Sequence, residues 1–126
     1  MQATIDISGK KVKMRASALI PRIYRFKFGR DIISDMAKLR KAFNKKNNLP
    51  EDASEEEKQE AQMSTLDLMI FENAAYCMAW LADNSISDSP DAWLDQFEMF
   101  SIYEILPQIL ELWDLSNQTT AIPKKK

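Results

Sequence analysis

The residue types that most often carry chemistry are nearly missing from this chain. It has no histidine, so the commonest general base and the commonest zinc ligand are both absent. Its one cysteine, Cys77, has no imidazole to activate it as a nucleophile. The neighbours Met78, Ala79 and Trp80 mark that thiol as a core group. Only Gly9 and Gly29 occur, so no glycine-rich loop can cradle a phosphate. Carboxylates are plentiful, but no motif argues for carboxylate-only catalysis or for a Mg2+ site. The expectation is a protein that is not an enzyme, with no catalytic residue, no metal ligand and no cofactor. What the sequence offers instead is charge and apolar surface, the materials of binding.

The charge is segregated. Residues 1–50 carry thirteen Lys or Arg against three acids, whereas residues 51–123 carry sixteen Asp or Glu against Lys58 alone. The formal net charge of −2 conceals this split. A basic half can be a footprint for nucleic acid or for an acidic protein. It can also fold against the acidic half so that much of the field cancels, which is the favoured expectation for one domain of this size. Head-to-tail association of copies, basic face on acidic face, is a further hypothesis, and it requires a sharp salt dependence.

At 126 residues and 45% hydrophobic residues, the chain can build one core. No N-terminal stretch has the order of a secretory signal. The most apolar run, Leu66 to Ala82, is interrupted by Asp67, Glu72 and Asn73, so it does not read as a membrane span. A lone cysteine fits a reducing compartment, and a cytoplasmic location is expected.

Period-two spacing of Ile5, Ile7, Val12 and Met14 around Ser8-Gly9 predicts a β-hairpin over residues 4–15. Ser17 is the expected cap of a short helix ending near Phe28, with Pro21 close to its start and Gly29 as its left-handed stop. Asp31 can cap a second helix to about Lys46, with an apolar stripe of Ile32, Ile33, Met36, Leu39 and Phe43. Ser54 and Glu57 have capping-box spacing within an acidic run, which otherwise reads as a mobile loop. The segment Met63 to Ala82 is apolar on almost every side and predicts a central, surrounded helix. Ser89-Pro90 starts another, with Trp93, Leu94, Phe97 and Phe100 at helical spacing. In Ser101 to Leu115, Pro107 predicts a kink or a break.

The fold expected is thus α+β and mostly α, an N-terminal β-hairpin followed by a bundle of about five helices. Residues 1–116 form the domain, and residues 117–126 are a flexible C-terminal tail. Phe97, Phe100, Ile105, Leu106, Ile109 and Trp113 form a long apolar stripe, expected to serve in part as a partner-binding surface. Arg22, Arg25 and Arg30 are expected to have an electrostatic or structural role. The two helices joined at Gly29 also allow a helix-turn-helix reading, with base readout thin because the second helix is short of Asn and Gln until its end.

The segment from Ala18 to Ile33 resembles the tail assembly chaperones of long-tailed bacteriophages and prophages of Gram-positive bacteria. Tyr24-Arg25 and Phe28-Gly29-Arg30-Asp31 carry the match, and the general layout extends it over most of the chain. The resemblance implies a protein that coats the helical tape-measure protein while the tail tube assembles. Such a protein acts in the host cytoplasm, is absent from the mature virion and often self-associates into homo-oligomers. Contacts with other tail proteins also belong to that expectation, and membranes and nucleic acid do not. Members often make a longer product by programmed frameshifting, and Lys124-Lys125-Lys126 is suggestive because AAA codons are slippery. The alternative function is a small DNA-binding regulator using the basic N-terminal half.

Overall fold

A computed structural model of the protein describes residues 2–60 and 62–121, with side chains in the last helix described through Leu115. Strands β1 (Gln2–Ile7) and β2 (Lys10–Arg15) form an antiparallel hairpin with Ile5 opposite Val12. Ser8 and Gly9 both take positive φ, 55° and 85°, as the tightest two-residue hairpin turn demands. The Asp6 carboxylate accepts the Gly9 N–H at 2.9 Å and fastens that turn. Ile5, Ile7 and Met14 are buried on one face, while Thr4, Asp6, Lys11, Lys13 and Arg15 are exposed on the other.

Helix α1 (Ile20–Phe28) begins after Leu19 rather than at Ser17. The Ser17 hydroxyl accepts the Leu19 N–H, and its carbonyl accepts the Ile20 N–H. Ser17 therefore closes a turn ahead of the helix instead of capping it. Gly29 ends the helix at φ 68°, donating its N–H to the Arg25 carbonyl. The Asp31 side chain accepts from Ile33 N at 3.1 Å and caps α2 (Ile32–Asn47). Ser54 and Glu57 form the expected reciprocal box at the start of α3 (Glu55–Glu60).

Helix α4 (Thr65–Ala82) starts at a second such box, Ser64 with Asp67, and is the axis of the fold. Ile70, Phe71 and all of residues 74–79 are buried, because β2, α1 and α2 together with α5 and α6 pack around this helix. Ser89 caps α5 (Pro90–Asp95), which stops short of the two phenylalanines that follow. Phe97 and Phe100 instead fold back on Trp93, and Phe100 reaches Phe71 with ring centroids 4.9 Å apart.

Two expectations about the last segment are corrected. Helix α6 (Ile102–Ala121) runs unbroken through Pro107, so of the kink or break expected there the break does not occur. The helix also extends to Ala121, five residues into the segment expected to be a flexible tail from residue 117. Residues 122–126, including the three lysines, lie outside the described residues.

The expected partner-binding stripe is corrected too. Leu106 and Ile109 are fully buried, Ile105 is 3% exposed, and Phe97 and Trp113 are 8% exposed. Phe100 is half-buried against the same core. The face of α6 that they define packs on α4 and β1, so this apolar area is spent within the chain.

Candidate protein-binding surface

The segment from Tyr24 to Asp35 is built around one buried carboxylate. Asp35, in the first turn of α2, is 4% exposed. It accepts from the Tyr24 hydroxyl at 2.8 Å and from Arg30 Nε and Nη2 at 2.7 and 2.9 Å. A buried charge is tolerated when paired and hydrogen-bonded on this scale. Burial pushes the Asp35 carboxyl up, but the bonds from Arg30 and Tyr24 outweigh it and hold the group below its ordinary range. Burial, reinforced by Asp35, drives the Tyr24 phenol well above its usual value. The cluster locks α1 to α2 across the Gly29 turn. Arg30 is thereby assigned a structural role.

Arg22 and Arg25 differ, since both are exposed on α1 and neither makes an ion pair among the described residues. Beside them Phe26 is 88% exposed and Leu19 46% exposed. Leu19, Arg22 and Phe26 are spaced three and four apart, so they line one side of the helix start and body. On α2, Ile33 is 60% exposed, with Ala37 and Lys41 following it on the solvent side. Large apolar groups presented singly are ordinary, but a phenylalanine displayed almost whole beside two arginines is the composition of a binding surface.

Sequence reasoning placed Ile33 within an apolar stripe and gave Phe26 no role, and so missed both. Their phase on the helix is the signal that finds them. Ile20 and Tyr24 define the buried side of α1, and Phe26, two residues past Tyr24, falls about 200° around the helix. Ile33 is rotated by about 100° from Ile32, which is buried.

The favoured expectation of charge cancellation between the halves is met only in part. Among the described residues, the ion pair of Arg40 with Asp114 alone joins the basic half to the acidic half. Lys11 pairs with Asp6, and Arg30 with Asp35, both within the basic half. Lys13, Arg15, Lys38, Lys41 and Lys45 stand in solvent without an ion-pair partner. Lys27 lies over the rings of Tyr76 and Trp80 at 5.7 and 5.6 Å, a packing use of its charge.

Cys77 is fully buried, and burial pushes its thiol up to about 12, which makes it a poor nucleophile. No group of three or more candidate metal-binding side chains is found among the described residues, and none of the described helices is long and apolar enough to cross a membrane. In comparisons with protein-family models, curated proteins and solved structures, the chain matches none of them.

Proposed function

We propose that the protein is a tail assembly chaperone, which holds the helical tape-measure protein soluble in the host cytoplasm by protein contact without catalysis. The observation that carries this reading is the exposure of Phe26 and Leu19 beside Arg22 and Arg25 at α1, together with that of Ile33 and Lys41 on α2. A helical client offering an apolar stripe flanked by acids would bury the apolar groups and pair the cations, which is the usual chemistry of helix recognition. The sequence between Ala18 and Ile33 that resembles the chaperones is the sequence that makes this surface. Self-association of copies through opposite charge is part of the same proposal, and it predicts salt-dependent oligomers.

The test is co-expression with a tape-measure fragment that aggregates alone, followed by size-exclusion chromatography with light scattering. The expected result is a soluble complex, weakened at least about tenfold by Phe26→Ser, as for an exposed aromatic anchor. The variant should keep its stability within about 0.5 kcal/mol, because Phe26 packs on little. Aggregation of the fragment despite co-expression refutes the reading.

The exposed lysines of α2 favour a second reading, DNA binding. It requires affinity for duplex DNA that falls by orders of magnitude as salt rises.

A further inference from the structure

The hairpin leaves a strand edge open beside a groove. A two-residue turn closes on a hydrogen-bonded pair, here Ile7 with Lys10. The narrow pairs then recur at Ile5 with Val12 and at Ala3 with Met14. The N–H and C=O groups of Lys11, Lys13 and Arg15 consequently point away from β1. No third strand joins the sheet among the described residues, and no other backbone group there bonds to these three.

Beyond that edge lies a cavity of about 270 Å3, lined on the strand side by Lys11, Val12 and Lys13. Its far wall is formed by Ala79 of α4, Ile86, Trp93 of α5 and Phe97. Asp83 and Gln96 complete the lining. Asp83 is engaged locally, accepting from both the backbone N–H and the hydroxyl of Ser85. The space has room for a few side chains of an added strand.

We propose that the β2 edge is a docking site for an extended segment of a partner protein in which acidic and apolar residues alternate. A strand placed on this edge takes the free N–H and C=O groups of Lys11, Lys13 and Arg15, the pattern of β-strand addition. Its side chains alternate between the two faces of the sheet. Those on the core side enter the groove against Ile86, Trp93 and Phe97. Those on the open side lie beside the exposed Lys11, Lys13 and Arg15, where a carboxylate is matched and a cation repelled. The charge also selects against a second copy. Pairing β2 with β2 would set Lys10, Lys11, Lys13 and Arg15 against the same four residues, and β1 offers Asp6 as its one acid. This site is separate from the α1–α2 surface and does not depend on the chaperone reading.

The test uses the full chain and three labelled synthetic peptides, one alternating Glu and Val, one with the same residues in two blocks, and one alternating Lys and Val. Affinity is read by fluorescence anisotropy, and the binding position by hydrogen exchange of individual amides. The alternating Glu–Val peptide is expected to bind at least tenfold more tightly than the blocked one, and to slow exchange at Lys11, Lys13 and Arg15. The double variant Lys11→Glu/Lys13→Glu is expected to reverse the preference toward the Lys–Val peptide while that peptide still protects the β2 amides, a pattern that an unfolded variant cannot give. Equal affinity for the alternating and blocked peptides overturns the proposal, since charge alone would then explain binding. So does binding without protection of the β2 amides. Protection of those amides that rises with protein concentration in the absence of peptide assigns the edge to a second copy and overturns it as well.

Discussion

Replacing Asp35 with alanine tests the lock between α1 and α2. The substitution removes both carboxylate oxygens, the acceptors of the Tyr24 hydroxyl and of Arg30 Nε and Nη2. Tyr24 is fully buried, so a hydroxyl left without an acceptor costs about 1–3 kcal/mol. The Arg30 side chain is 35% exposed and can recover water, so its lost pairing adds only about 1 kcal/mol, below the value for a fully buried pair. The sum of about 2–4 kcal/mol is a large part of the stability of a domain this size. With an unfolding entropy of about 2.1 cal/mol/K per residue, it lowers Tm by roughly 8–15 °C. Thermal unfolding at pH 7 measures this directly. Acid adds a second readout. Because the folded protein holds the Asp35 carboxyl below its ordinary value, the unfolded chain binds the proton more readily. The stabilisation from Asp35 is therefore complete above about pH 4–5 and fades as pH falls through the lowered value. Asp35→Ala should remove that part of the acid sensitivity. A loss under about 0.5 kcal/mol, or an unchanged acid limb, refutes the lock.

Three further outcomes follow from the packing. Leu106→Ala removes a fully buried side chain at the α4–α6 contact and should cost about 2–5 kcal/mol in denaturant unfolding. A loss within about 0.5 kcal/mol would return this residue to the surface. Cys77 should stay unmodified by a thiol-reactive disulfide at neutral pH in the folded protein and react at once in denaturant, because it is buried with a raised pKa. Rapid native-state labelling would contradict its placement. Gly29→Ala meets no steric neighbour but forces a Cβ into left-handed backbone, so it should cost about 1–2 kcal/mol in chemical unfolding, with Gly29→Asn costing less.

The parts of this fold that were legible in the sequence are those decided within a few residues. Asp31 caps the helix that starts one residue later, Gly29 stops the one before, and Ser54 with Glu57 closes a box. Each follows from a short side chain reaching a backbone N–H two or three positions away, or from a φ that only glycine accepts cheaply. The Ser17 assignment failed at the same range because two arrangements of one hydroxyl compete there. What could not be read was decided at a distance. The stripe from Ile105 to Trp113 has the same pattern whether a partner or α4 covers it, and the answer depends on a helix some forty residues earlier. The candidate surface was hidden for the opposite reason. Phe26 is apolar like its neighbours, and only its angle around α1 separates it from Tyr24.

The placement of the hairpin between α4 and α6 has a consequence for synthesis. β1 packs on α6, and β2 on α4, so the earliest described strand of this domain rests against the helix that is translated last among its described elements. Ile5, which lines a groove with Leu112 and Leu115 of α6, leaves the ribosome long before that part of its cover is made. At about 5–20 residues per second the delay is several seconds. Throughout that interval the nascent chain carries an incompletely covered hairpin, and closing the domain joins β1 to α6 in one late, long-range step.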